Sequence, residues 1–196
     1  NKKVKFFNKF NKLKILCIGR LTDQKDHMTL LKSAYLLRKN SIRFKLYIIG
    51  QGYMYDNLKN FIKKKRLNKI IRLAGYKENA FNYFKSADLF ILSSKYEGLP
   101  NVLLEAMALK KFIISSNCPT GPKEILQNGK LGMLFKVKNF KQLEKKIIEF
   151  NNKKKSYQRK IRAAYTSLER FELSKNCNKY LELINKLWKL LLITQY

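Results

Sequence analysis

From about residue 13 the chain repeats one pattern: a short apolar run rich in β-branched and aromatic residues, then a longer amphipathic stretch. That alternation points to a parallel sheet with helices on both faces, because each crossover between parallel strands needs a helix-sized connection. Five strands are expected, at Lys14–Gly19, Phe44–Ile49, Ile70–Ala74, Leu89–Leu92 and Phe112–Ser115. Helices are expected between them at Asp26–Lys39, Tyr53–Lys65, Ala80–Ser86 and Asn101–Leu109. In the first of these Met28, Leu31, Ala34, Tyr35, Leu36 and Leu37 crowd one side, and Asp26 is placed to cap it. Gly132–Phe135 reads as an added edge strand, followed by helices at Phe140–Phe150, Ser156–Phe171 and Leu173–Leu192.

The chain has 196 residues, 45% of them hydrophobic, enough for a sizeable core. Its formal charge of +30 favours polyanionic partners: nucleic acid, acidic lipid or phosphate-bearing substrates. The excess is almost all Lys, however, and comes with abundant Asn, Ile, Phe and Tyr, so AT-rich coding bias accounts for much of it. It lacks the Arg and aromatic clustering of nucleic-acid recognition, and no nucleic-acid partner is expected. Three dispersed Cys and one His exclude a disulfide framework and a Cys/His zinc site, and fit a reducing, cytoplasmic setting. No apolar run has the length of a membrane span. The chain begins at Asn1 without an initiator Met, so a preceding portion is expected.

In an open parallel sheet, ligands bind beyond the carboxyl ends of the strands. The loops there are Gly19 to Lys25, Gly50-Gln51-Gly52, Gly75-Tyr76-Lys77, Ser93 to Asn101 and Ser116 to Pro122, with all three Pro among them. Gly50-Gln51-Gly52 begins like a dinucleotide fingerprint, but Tyr55 occupies the third Gly position and no acid follows near residues 68–72; a plain strand-to-helix turn is the alternative. No Walker Lys follows a Gly-rich loop. Arg20 and Lys25 could together reach one diphosphate, or be a solvated surface pair. Glu97 and Glu105 flank a Gly-Leu-Pro-Asn turn that opens a helix, where unpaired amides attract phosphate. Read plainly, Glu105 is a helix-dipole or salt-bridge acid and Glu97 a surface residue.

These residues resemble the retaining, nucleotide-sugar-dependent glycosyltransferases of family 4, which have the two-domain GT-B architecture. The resemblance spans roughly residues 14 to 150. It rests on Gly19-Arg20-Leu21 with Lys25-Asp26, Gly50-Gln51-Gly52 and Leu73-Ala74-Gly75-Tyr76. It continues through Ala87 to Ser94, Glu97-Gly98-Leu99-Pro100-Asn101-Val102-Leu103-Leu104-Glu105 and Asn117 to Leu126.

The resemblance implies a Rossmann-like α/β domain, the carboxy-terminal half of a GT-B enzyme, that transfers a hexose or N-acetylhexosamine from a UDP-linked donor with retention. Arg20, Lys25 and Glu97 would carry the chemistry: Arg20 and Lys25 on the donor diphosphate, Glu97 on the sugar hydroxyls. Glu105 would hold the ribose, Gly75 and Tyr76 would lie near the base, and Gly19 and the segment Gly98, Leu99, Pro100, Asn101, Val102 and Leu103 would line the phosphate. No metal or other cofactor is expected, and the chain has no Asp-x-Asp motif. The acceptor, a glycan or lipid-linked saccharide, would sit on an amino-terminal domain not contained here. Residues 1–12 would be a linker or remnant of that domain, 13–172 the donor-binding domain, and 173–196 a helix that packs back on the missing half or on its own sheet. A Lys-rich surface would suit an anionic membrane face. The alternative is a non-catalytic nucleotide-sugar-binding remnant.

Overall fold

A computed structural model describes residues 5–8 and 10–193. Six strands form one sheet: β1 (Leu13–Ile18), β2 (Phe44–Ile49), β3 (Ile71–Leu73), β4 (Leu89–Leu92), β5 (Phe112–Ser116) and β6 (Met133–Phe135). Every pairing is parallel and the order is β3-β2-β1-β4-β5-β6, the Rossmann-like α/β arrangement that the alternation implied. Each position of β4 and β5 is buried, as expected where helices cover both faces. β6 is the expected edge strand, paired to β5 alone.

The connecting helices are α1 (His27–Lys39), α2 (Tyr55–Lys64), α3 (Phe81–Ser86), α4 (Asn101–Ala108), α5 (Pro122–Ile125), α6 (Phe140–Asn152), α7 (Gln158–Thr166) and α8 (Leu173–Ile193). Asp26 caps α1 as read: its carboxylate accepts from the Thr29 amide at 3.2 Å and the Thr29 hydroxyl at 2.7 Å. The buried face of α1 is rotated from the expected one. Leu31, Ala34 and Leu37 are buried as read, but Leu30 and Ser33 join them and Leu36 is half-buried. α6 packs along α1 besides the sheet, with Asn40 Nδ2 donating to buried Glu144 Oε1 at 2.6 Å, so more of the helix surface is covered than one sheet-facing side. α2 begins at Tyr55 rather than Tyr53, because the Met54 amide is drawn to the Leu21 carbonyl at 2.9 Å. The expected helix Ser156–Phe171 is instead a 3₁₀ turn at Lys154–Tyr157, α7, and another 3₁₀ turn at Ser167–Phe171.

Of the expected linker 1–12, residues 1–4 and 9 lie outside the described residues. Lys5–Phe7 makes one 3₁₀ turn, and the buried Phe7 ring lies 5.8 Å from that of Tyr47 on β2. The chain packs as two units divided between Tyr165 and Thr166. In the second, α8 carries the exposed apolar side chains Leu173, Tyr180, Leu181, Leu183, Ile184 and Trp188. Residues 194–196 lie outside the described residues.

Gly50 sets how closely the first two loops pack. Its φ is 149°, and a Cβ there would stand 1.9 Å from the Gly19 carbonyl oxygen. Gly50→Ala is therefore expected to cost about 2–4 kcal/mol of stability. A urea midpoint unchanged from the parent, at equal slope, would refute that account.

Candidate functional site

The chain runs out from β1 to β3, then returns to lay β4 on the other side of β1. A crevice is expected at the carboxyl ends of these two strands, where connections diverge to opposite sides. Gly19 to Lys25 follows β1 there and Ser93 to Pro100 follows β4.

Backbone bonds hold the first loop. Gly19 N donates to Ile49 O at 3.0 Å, Leu21 N to Gln51 O at 2.9 Å, and Gly50 N to Gly75 O at 3.0 Å. Gly52, at φ 155°, would drive a Cβ to 2.5 Å from Leu21 O. Gly50 and Gly52 thus serve backbone packing between loops, the plain-turn reading of that segment.

The first and fourth loops are bound directly together. Lys25 Nζ donates to Glu97 Oε1 at 2.6 Å and to Oε2 at 2.9 Å. Ser94 Oγ donates to the same Oε1 at 2.5 Å. The two charged side chains are only 17% and 6% exposed, so water screens them weakly. Ser93 Oγ donates to Lys25 O at 2.9 Å, Lys95 N to Gln24 O at 2.8 Å, and Gln24 Nε2 to Tyr96 O at 3.1 Å. Lys95 Nζ meets Asp23 Oδ2 at 2.5 Å on the outer rim. The fifth loop braces this arrangement: Glu97 N donates to Pro119 O at 3.2 Å, and the Thr120 hydroxyl donates to Glu97 O.

Beyond Glu97 the chain turns into α4. Pro100 has no N–H, and the amides of Gly98, Leu99, Asn101 and Val102 find no acceptor among the described residues. The first bonded amide is that of Leu103, to Pro100 O at 2.8 Å. Unpaired N–H groups at a helix start carry partial positive charge, and these follow directly on the lysine-bound Glu97.

Of the other expected site residues, Arg20 is exposed, and its guanidinium has no protein partner among the described residues. Gly75 adopts φ 68° and Tyr76 is exposed. Glu105 is exposed and makes no ion pair among the described residues. It lines a hollow of about 690 Å³ between α3 and α4, with Glu78, Asn79, Phe81 and Phe84. The structure therefore joins Lys25 to Glu97 by contact and sets the Gly98–Leu103 segment after them, while Arg20 and Glu105 present free charges on flanking ground. A second hollow, of about 810 Å³, lies beyond β5 and is lined by Asn117, Cys118, Thr120, Lys123 and Glu124 among others. Among the described residues, no cluster of three or more His, Cys, Asp or Glu side chains is placed to hold a metal ion.

Three residues gain a role that sequence reasoning missed. Ser94 orients Glu97, and Ser116 Oγ donates to Ser94 O at 2.6 Å, supporting it from the next strand. His27, the chain's single His, is buried, with neither ring nitrogen hydrogen-bonded among the described residues. Burial, helped by the Lys25 charge, pushes its pKa down to about 4, so the ring is neutral. Its place directly after the capping Asp26 was the available signal. Burial also pushes the Cys17 thiol up to about 12, against the opposing pull of Lys25. Burial raises the Cys118 thiol as well, so both side chains are inert thiols.

The family described as "Glycosyl transferases group 1" matches residues 1–167. An N-acetylgalactosamine-N,N'-diacetylbacillosaminyl-diphospho-undecaprenol 4-alpha-N-acetylgalactosaminyltransferase of Campylobacter jejuni is 29% identical over 171 residues, covering 85% of this chain and 46% of that protein. A poly(ribitol-phosphate) alpha-N-acetylglucosaminyltransferase of Staphylococcus aureus is 25% identical over 169 residues, covering 86% of this chain and 34% of that protein. Among solved structures, a variant of S. aureus TarM in complex with fondaparinux, alpha-GlcNAc-glycerol and UDP superposes with a TM-score of 0.80 at 24% identity, over 93% of this chain and 38% of that one. Anabaena HepE in complex with UDP gives a TM-score of 0.80 at 17% identity, over 90% of this chain and 49% of that one. These two likenesses are of fold. The chain spans about half or less of the length of the curated relatives it matches.

The unpaired His27 ring makes a pH prediction. A His whose folded pKa lies below its unfolded value weakens the fold once the unfolded chain takes up the proton first. Stability is then full above about pH 6.5 and falls by on the order of 3 kcal/mol as the pH drops to about 4. His27→Leu should flatten this part of the profile in denaturant titrations. An equal slope in parent and variant would rule His27 out as its source.

Proposed function

The chain belongs to the glycosyl transferases group 1 family, and we propose that it is the half of such an enzyme that holds a nucleotide-sugar donor. The observation that carries this is the Lys25–Glu97 clasp, followed by four unpaired amides, at the carboxyl ends of β1 and β4. A lysine ammonium has three N–H bonds. Two go to Glu97, which leaves one for a phosphoryl oxygen. With the amides of Gly98, Leu99, Asn101 and Val102 and the free guanidinium of Arg20, it would stabilise charge that grows on a departing diphosphate. Such chemistry uses fixed protein cations and dipoles, and we assign no metal to it.

Glu97, with one oxygen taken by Lys25 and Ser94 together and the other by Lys25, is oriented to accept from hydroxyls of the transferred sugar. It is not assigned as a nucleophile. We favour a retaining reaction in which the acceptor attacks from the face that the diphosphate leaves, and a leaving-group oxygen takes the acceptor proton. Glu105 holds the ribose in this reading, with Gly75 and Tyr76 near the base. Complexes of TarM and HepE with UDP support a UDP-linked donor. The N-acetylhexosaminyl transfers named for the C. jejuni and S. aureus relatives support a hexose or N-acetylhexosamine, delivered to a glycan or lipid-linked acceptor. The acceptor is held by a further domain, in a cytoplasmic reaction at an anionic membrane face. No helix among the described residues is long and apolar enough to cross a membrane.

Calorimetric titration with nucleoside diphosphates and their sugars should show UDP bound with a Kd below about 1 mM, and Lys25→Ala should weaken it by about tenfold or more. If every nucleotide leaves the chain unaffected at millimolar levels, the donor-binding reading falls; binding without sugar transfer in the enzyme that includes the acceptor domain would favour the non-catalytic remnant. In the enzyme that includes the acceptor domain, Arg20→Ala should lower turnover by on the order of 10²–10³. Turnover within a few-fold of the parent would give Arg20 another task.

A further inference from the structure

The cations are unevenly spread. From His27 to Lys77 the only carboxylate is Asp56, against thirteen Lys and Arg. This stretch builds α1, β2, α2 and β3, one flank of the sheet. A cleft of about 370 Å³ opens between the carboxyl ends of α1 and α2, lined by Tyr35, Arg38, Lys39, Lys64, Lys65 and Arg66. None of its five cations has a carboxylate partner among the described residues.

Helix carboxyl ends ordinarily repel anions, because their last carbonyls are unpaired. Here that repulsion is answered internally: Arg38 Nη1 donates to Lys65 O at 2.9 Å and to Arg66 O at 2.5 Å. With those two carbonyls satisfied, the charged groups lining the cleft are all ammonium and guanidinium. Lys39 Nζ and Lys65 Nζ converge on one ring, 5.2 and 4.8 Å from the centroid of Tyr35. Two like charges held on one ring gain from an anion placed between them. An adjoining hollow of about 350 Å³ adds Lys59, Lys63 and Arg72 around α2.

We infer that this cationic end of α1 and α2 docks on an anionic lipid bilayer, whose phosphodiester headgroups settle in the cleft. The spread of cations over two hollows fits a surface of many phosphates better than a single free anion. Tyr35 already carries lysines on its ring, so it offers no stacking face for a nucleobase. The cleft also lacks the apolar centre of a protein interface. α1 and α2 end before β2 and β3 begin, so the Arg38–Lys65 cleft lies at the amino edge of the sheet, and the second hollow runs from there along α2. The Lys25–Glu97 crevice lies at the opposite edge, one strand length or about 20 Å away. Docking here deepens the membrane-face part of the proposed function and rests on that reading, while donor uptake at the opposite edge is measured separately by nucleotide titration.

The test is co-sedimentation of the full chain with vesicles of phosphatidylglycerol and phosphatidylcholine at about 0.15 M salt. The parent should bind these and leave pure phosphatidylcholine vesicles unbound. A juxtamembrane cation is worth roughly fivefold in partition. Lys39→Gln with Lys64→Gln and Lys65→Gln should therefore lose on the order of a hundredfold, and Lys64→Gln alone roughly fivefold. The control Lys136→Gln with Lys141→Gln and Lys145→Gln removes equal charge from exposed positions elsewhere and should lose only a few-fold. Unchanged thermal melting shows that the variants fold, and the single variant carries the test if the triple one does not. Equal losses in the triple variant and the control would overturn the inference, since net charge alone would then drive binding. Complete release by millimolar inorganic phosphate would overturn it in favour of a free phosphate site. Equal affinity for a single-stranded oligonucleotide, lost in the same variants, would overturn it in favour of a nucleic-acid surface.

Discussion

The Lys25–Glu97 pair is the contact on which the rest of the site depends. Taking two charges largely out of water costs several kcal/mol each, and their attraction returns this only with good geometry and further hydrogen bonds. Both conditions are met: the lysine reaches both carboxylate oxygens, and Ser94 adds a donor to one of them. Such a pair adds little net stability, yet breaking it leaves an uncompensated buried charge worth roughly 3–5 kcal/mol. Its effect is on position. It fixes a carboxylate and an ammonium, 72 residues apart in the chain, against each other and leaves one ammonium hydrogen uncommitted.

The sheet order makes this contact possible, and the loops make it rigid. β1 and β4 are neighbours only because the chain completes one wing before it begins the other. The first loop therefore has β2's loop on one side and β4's on the other. Gly50 and Gly52 let the former approach to backbone contact, while Ser93, Gln24 and Lys95 tie down the latter. On the far side Gly121, at φ 74°, admits the Gly98 carbonyl where a Cβ would sit 2.2 Å away. Glycine is thus placed where neighbouring loops press together, and the amides at the mouth of α4 stay free for a ligand.

Local signals in the sequence carried the elements well. β2 and β4 match their apolar runs end to end, and α1 follows directly from its Asp26 cap. The loops at the carboxyl edge were legible because β-strand spacing and glycine placement are local properties. What was not legible depends on pairs distant in sequence. Nothing near Gly50 announces that its partner is Gly19 O, so a nucleotide fingerprint had to be weighed against a plain turn. α1 packs against α6, more than a hundred residues later, as well as the sheet, and its buried set includes Leu30 and Ser33. The orientation of Glu97 by Ser94 and the unpaired state of His27 likewise follow from packing. Glu105 was legible as a carboxylate near the helix mouth, and it lines the hollow between α3 and α4, whose lining does not include Glu97.

A net charge of +30 carries little meaning as a total, because coding bias toward Lys produces such totals without function. Its distribution is more informative, since bias alone would scatter cations with no regard to the fold. Two places depart from scatter in opposite ways. At the β1–β4 crevice one lysine is nearly withdrawn from water and committed to one carboxylate, so each remaining hydrogen-bond donor has a direction and a low-dielectric surrounding. At the ends of α1 and α2 the cations are numerous, mostly exposed and without carboxylates, and their pull is long-ranged and easily screened by salt. The first arrangement favours a ligand by geometry, the second by charge density over an area. In the proposed reading one would select a nucleotide and the other would meet an anionic surface, each with its own physical dependence on salt.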